Sequence, residues 1–187
     1  HPQPKAHFSI DDSLECLRDH EIIAINKSTL AQGTIKSKTW TTESTDYLDL
    51  DTLKQVYSSA NDYSIQLKIE SDKGCFDSLT KDVTIYPMPE AQFTLDTNQL
   101  CERGNIFSID YQGLISNGAI RKLWDFGDGL TSTTADDTSK SYDTFGSYTI
   151  RLELVSDFDC RDTMEKVLTI HPQPKAHFSI DDSLECL

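Results

Sequence analysis

Five cysteines stand at positions 16, 75, 101, 160 and 186. Thiols offer three kinds of chemistry: metal ligation, nucleophilic attack and cross-linking. No C-x-x-C spacing occurs, so a zinc site is poorly served. Cys75 follows Cys16 at the same offset at which Cys160 follows Cys101. The equal spacing predicts two bridges, Cys16–Cys75 and Cys101–Cys160, against the alternative of buried free thiols. Cys186 then reads as a copy of Cys16 cut off from its partner. A bridge closing such a loop contributes about 4 kcal/mol on the chain-entropy model. It also requires an oxidising, extracellular compartment.

Other reactive side chains are sparse in pattern. No G-x-S-x-G, Walker loop or H-E-x-x-H appears. Glu21, Glu70 and Glu153 form no pair that sequence places around a substrate. The acidic clusters Asp11–Asp12, Asp136–Asp137 and the run DYLDLD read as solvated faces. His1 and His7 recur as His171 and His177, leaving only His20 besides. Tyr86 and Gln92 occupy the half-repeat positions of His1 and His7, which reads as surface or linker histidine and not as catalysis. The chain is therefore expected not to be an enzyme. With 17 basic and 31 acidic residues the net charge is -14. Such a surface repels phosphate backbones, which excludes a nucleic-acid partner. No apolar run approaches a membrane span, and any export signal is expected outside this stretch.

The elements that would hold these residues repeat. HPQPKAHFSIDDSLECL opens the chain at His1 and closes it at His171–Leu187 without one substitution. Half of that period is also visible. Pro2, Pro4, Ala6, Phe8 and Asp11 land on Pro87, Pro89, Ala91, Phe93 and Asp96. Tyr57, Tyr63, Ile65 and Leu67 land on Tyr142, Tyr148, Ile150 and Leu152, and Asp77 and Lys81 on Asp162 and Lys166. Trp40 and Trp124 miss by one position, a loop-length difference. An engineered duplicate end would leave the inner period unexplained. The expected organisation is residues 1–85, residues 86–170, and residues 171–187 as the first strand of the next repeat.

YSIQLKIES at 63–71 and YTIRLELVS at 148–156 alternate apolar and polar residues, the mark of half-buried antiparallel strands. Further short strands follow at AHFSI, EIIAIN, SKTWTT and DVTIYP, and again at AQFTL, IFSIDYQ, IRKLWDF and VLTIHP. No stretch keeps a helical stripe, although residues 46–57 are compatible with one helical turn. Two all-β sandwiches joined at the proline pairs YPMP and HPQP result.

KLWDFGDGLTST at 122–133, followed by YDTFGSYTIRLELVS at 142–156, resembles the PKD domain, an immunoglobulin-like sandwich. The resemblance implies a core role for Trp124, and φ > 0 at Gly127 and Gly129 for a tight turn. It also implies a calcium site at Asp125 and Asp128, since hard oxygen ligands suit that ion. Turn-stabilising hydrogen bonds are the alternative role for both aspartates. The first half departs from the pattern: TWTTES replaces the hallmark, and Asn61 stands for Gly146 at a position expected to be left-handed. The fold expected is all-β, two tandem immunoglobulin-like PKD-type sandwiches.

The cysteine pairs and the P-x-P-x-A-x-F start narrow the likeness. They resemble the PKD-type repeats of giant mobile surface adhesins of gliding Bacteroidota, exported by the type IX secretion system. That likeness implies O-glycans at Asp-Ser/Thr-apolar sites, here Ser13, Thr52, Ser78, Thr163 and Ser183, with chance as the alternative. It implies a cell-surface location and a structural repeat unit of a long adhesin or filament serving attachment, gliding or prey capture. The expected partners are neighbouring repeats, identical chains in a bundle, and an unidentified cell-surface or polysaccharide target. The competing reading is a polysaccharide-binding accessory module of a secreted hydrolase, which wants a row of exposed aromatics.

Overall fold

The computed structural model describes residues 2–134 and 138–179, with side chains described at all of these but Thr138. Among them there are strands and no helix. The first eight strands are β1 (Phe8–Ile10), β2 (Leu14–Cys16), β3 (Ile22–Asn26), β4 (Ile35–Thr42), β5 (Thr45–Leu48), β6 (Thr52–Gln55), β7 (Asn61–Ser71) and β8 (Phe76–Tyr86). The next eight are β9 (Phe93–Leu95), β10 (Gln99–Cys101), β11 (Phe107–Tyr111), β12 (Ile120–Asp125), β13 (Thr131–Ser132), β14 (Thr138–Lys140), β15 (Gly146–Ser156) and β16 (Arg161–His171). Residues 46–57 are strand, turn and strand; the helical turn they are compatible with in sequence does not form. Their alternation sends Leu53 and Gln55 inward against exposed Thr52 and Lys54, which suits a pleat.

The first eight strands make a three-stranded sheet ordered β1-β3-β6 and a five-stranded sheet ordered β2-β8-β7-β4-β5. The second eight repeat both orders, with β9, β11 and β14 in one sheet and β10-β16-β15-β12-β13 in the other. Each set is a β-sandwich of the immunoglobulin-like class. The Cα trace resolves into two compact units. The first takes in His1–Pro89 with Ile115–Ile120 and Val155–Arg161; the second takes in Glu90–Leu114, Arg121–Leu154 and Asp162–Leu187.

The first core gathers Phe8, Ile22, Trp40, Leu53, Tyr57, Ile65, Leu67 and Ile69, all nearly inaccessible. Phe8 meets Trp40 edge-on, with ring centroids 5.1 Å apart. Phe93 meets Trp124 the same way at 5.0 Å. The one-residue offset of the tryptophans is thus absorbed before the core contact. Tyr57 stacks on Tyr63 at 3.8 Å, and Tyr142 on Tyr148 at 3.7 Å. Retaining the contacts while changing most of the sequence keeps the packing geometry that each sandwich needs.

Asn61 does not adopt a positive φ. The left-handed positions shared by the halves lie elsewhere: Asp19 (φ 60) matches Gly104 (φ 69), and Gly74 (φ 76) matches Asp159 (φ 60). Glycine and aspartate are both tolerant there, so the exchange costs little. Gly127 and Gly129 do have positive φ, 75 and 86.

Candidate functional site

The cysteines occupy two kinds of place. Cys16 ends the short strand β2, which runs parallel to β8 with Cys16 level with Tyr86. Leu17 N–H continues the ladder to Tyr86 O at 2.9 Å. Cys101 repeats this on β10, level with His171, and Glu102 N–H reaches His171 O at 2.8 Å. Cys75 and Cys160 instead close tight hairpins. Ser71 N–H donates to Cys75 O at 2.8 Å, and Ser156 N–H to Cys160 O at 2.9 Å. The serine hydroxyls accept in return from the Cys75 and Cys160 amides, each at 3.2 Å. Left-handed Gly74 and Asp159 make the reversal.

This placement overturns the pairing expected from spacing. Tyr86 lies eleven residues beyond Cys75 along extended strand, about 35 Å. Cys16 sits at the Tyr86 end. A disulfide spans no more than about 7 Å between Cα atoms, so Cys16–Cys75 cannot close. His171 likewise lies eleven residues beyond Cys160 along β16, and Cys101 sits at the His171 end. The observed bond is Cys16–Cys160, with a Cα–Cα distance of 5.6 Å and a sequence separation of 144. It lies within the first compact unit, to which Val155–Arg161 belongs. Cys75, half-buried, and Cys101, exposed, are free thiols. Cys186 lies outside the described residues.

Beside the bond the rings of Tyr86 and Phe158 stack at 3.9 Å, nearly parallel. They border an open depression of about 310 Å³ that also touches Asn61, Asp62, Thr84 and Ser116. Each ring covers one face of the other, and Phe158 stays 39% exposed. Trp40 and Trp124 are both fully buried.

Asp125 and Asp128 shape the β12–β13 turn. Asp125 Oδ1 accepts the Gly127 N–H at 2.8 Å, and Asp128 Oδ1 the Leu130 N–H at 3.1 Å. Asp128 Oδ2 pairs with Lys140 Nζ at 2.8 Å. Burial pushes the Asp128 carboxyl up, but the Lys140 hydrogen bond, the Leu130 amide and the Lys140 charge together hold it below the ordinary 3.8. Lys140 also caps the Phe126 ring at 4.7 Å. The turn-stabilising role is thus fulfilled by observed bonds. Among the described residues, no group of three or more His, Cys, Asp or Glu is arranged to hold a metal.

Ser13, Thr52, Ser78 and Thr163 are exposed on the surface, while Ser183 lies outside the described residues, as do Asp136–Asp137. Two of the aspartates preceding these hydroxyls have structural tasks that the sequence pattern did not announce. Asp77 Oδ2 accepts the Ala6 N–H at 2.7 Å, and Asp162 Oδ2 the Ala91 N–H at 2.8 Å. Each pins the P-x-P-x-A entry to its sandwich. Their coincidence at the half-period offset was the available signal.

His20 is buried at 6% exposure, a correction to the expected surface or linker role. Its Nε2 accepts the Tyr57 N–H at 2.9 Å, and its Nδ1 faces Leu17 O at 2.9 Å. The ring is therefore the Nδ1–H tautomer. Asn105 does the same work in the other half, with Oδ1 accepting from Tyr142 N–H and Nδ2 donating to Glu102 O. His7, His171 and His177 are exposed, and His1 lies outside the described residues.

Known proteins of the same class resemble this chain. The PKD domain family model matches residues 87–171. The PKD1 domain of the Vibrio cholerae metalloprotease PrtV is 31% identical, matched over 46% of this chain and 99% of that one, with a TM-score of 0.38. The PKD1 domain of Vibrio anguillarum Epp is 26% identical over 46% of this chain and 96% of that one, also with a TM-score of 0.38. Fibronectin(III)-like modules of Clostridium thermocellum CbhA are 13% identical over 92% of this chain and 100% of theirs, with a TM-score of 0.41. No curated protein sequence matches the chain. Modules of the PKD and fibronectin-III-like kinds are non-catalytic.

Proposed function

We propose that this chain, which belongs to the PKD-domain family through residues 87–171, is a structural repeat unit of a long extracellular adhesin or filament. The observation that carries the reading is a construction plan used twice. Sheet order, core aromatic pairs, hairpin turns and entry clamps of the first half recur in the second. The opening seventeen residues then return unchanged at position 171. A sequence that restarts its own first strand is suited to a tandem array in which neighbouring repeats are the main partners. The disulfide fits an oxidising, extracellular setting. Net charge of -14 keeps parallel chains soluble unless a cation bridges them.

Attachment to a surface, gliding and prey capture are the roles such an array serves, with the adhesive chemistry located elsewhere on the parent. The polysaccharide-binding alternative loses its two tryptophans, which are both buried. Electron microscopy of native material tests the array reading. Filaments with a regular axial period are expected; dispersed globular particles would overturn it. A pull-down on insoluble polysaccharide separates the alternative, with no retention expected.

A further inference from the structure

Among the described residues two thiols remain free, although each sits in a setting that elsewhere in the chain carries a disulfide. Cys75 has the surroundings of Cys160: the same serine-anchored hairpin with the same amide and hydroxyl bonds. Cys101 has the surroundings of Cys16: the last residue of a three-residue strand laid parallel on the end of an eleven-residue one. Both are accessible. Neither can reach the other cysteine of its own half, for the strand-length reason given above.

The observed bond joins Cys16 to the half-period copy of Cys75 and not to Cys75 itself. Moving that bond forward by one half-period starts it at Cys101 and ends it at the copy of Cys75 in the next full period. Moving it back by one half-period ends it at Cys75 and starts it at the preceding period's copy of Cys101. We infer that Cys101 forms a disulfide with Cys75 of the following repeat copy, so that the link seen at Cys16–Cys160 recurs at every half-period of the array. The inference rests on the array reading for its occupant, a second copy of this sequence.

The chemistry balances with a disulfide oxidant. Two S–H bonds break and one S–S bond forms. The two electrons and two protons reduce one disulfide of a thiol–disulfide oxidant, or one molecule of oxidised glutathione, to two thiols. The joints are not identical in their surroundings. Tyr86 and Phe158 flank the observed bond, whereas the half-period offset puts His171 and the following copy's Lys73 at the corresponding positions of the second.

The test uses residues 1–187 ligated to an isotope-labelled second copy of residues 18–187, so that peptides of the two copies differ in mass, refolded with oxidised glutathione, alkylated and mapped without reduction. Three cross-links are expected: Cys16 with Cys160, Cys101 with the following copy's Cys75, and Cys186, which stands as the following copy's Cys16, with the following copy's Cys160; the following copy's Cys101 has no partner here and should be alkylated. The first copy's Cys75 should be fully alkylated. A Cys101→Ser version should free the following copy's Cys75 and leave Cys16–Cys160 intact. A Cys16–Cys75 or Cys101–Cys160 peptide, an alkylated first-copy Cys101, or a following Cys75 still protected when the first copy carries Cys101→Ser would each overturn the inference. The two readings fail separately. Loss of the axial period in native filaments leaves this map unchanged, and a wrong map leaves the axial period in place.

Discussion

Asp77 and Ala6 are joined by a charged hydrogen bond of 2.7 Å, carboxylate to backbone amide, between two ends of one sandwich that are far apart in sequence. Ala6 is buried beside Phe8, so its N–H has little access to water without that carboxylate. Asp77→Ala should therefore cost about 1–3 kcal/mol, read as a lower melting temperature. Asp77→Asn keeps an acceptor and should cost less. Exposed Ser78→Ala should stay within about 0.5 kcal/mol. The same comparison at Asp162 and Thr163 should give the same ranking. On natively produced protein, intact mass with hexose increments would show that the adjacent hydroxyls also carry glycans.

The His20 ring and the Asn105 amide perform one task, which makes them exchangeable. His20→Asn should lose less than His20→Ala, because only alanine strands the buried Tyr57 N–H. The alanine variant should cost about 1–3 kcal/mol. Denaturant midpoints at neutral pH would check the order, and equal losses would refute it.

Gly127 and Gly129 share a left-handed backbone but not a neighbourhood. A Cβ on Gly127 would stand 2.7 Å from Thr149 O, whereas one on Gly129 meets nothing within 4 Å. Gly129→Ala should cost about 1–2 kcal/mol of conformational strain. Gly127→Ala should cost more, because backbone must shift as well. Thermal melts of the two variants decide this.

Stability should fall at both ends of the pH scale for identifiable reasons. Asp128 is held below 3.8 in the folded chain, so the unfolded chain binds its proton first as the solution is acidified. Its contribution is present above 3.8 and lost as pH falls through the lower folded value. Lys140→Met should weaken that acid dependence. Burial raises the Tyr57 and Tyr142 hydroxyls above the ordinary 10.0. Their contribution is present below 10.0 and declines as pH climbs past it. Melting temperatures across the scale, with Tyr57→Phe to flatten the alkaline arm, would check both.

Alternation in residues 63–71 and 148–156, the half-period offset and the WDFGDG turn made the sandwiches legible before any coordinates. These signals are local or periodic, and both kinds survive in a one-dimensional string. The cysteine partners were not legible for a related reason. The expected and the observed partner of Cys16 differ by one half-period, so a repeating sequence gives them the same spacing evidence. What separates them is the length of β8 and β16, which keeps Cys16 and Cys75 at opposite ends of one sheet. His20 was hidden because burial depends on the Leu17–His20 turn meeting Tyr57, which is distant in sequence. The strands at 45–48 and 52–55, which belong to different sheets, are hard to tell from a helical turn because their aspartates obscure the alternation.

The Cys16–Cys160 bond gives the chain two contour lengths. It closes a loop with a sequence separation of 144. Stretched out, a loop of that size would reach on the order of 500 Å. While the sulfurs are joined, a load passing between the ends skips that loop, and melting every sheet inside it releases no slack. Reductant then acts as a length control, and the redox poise of the surroundings sets how far the chain extends.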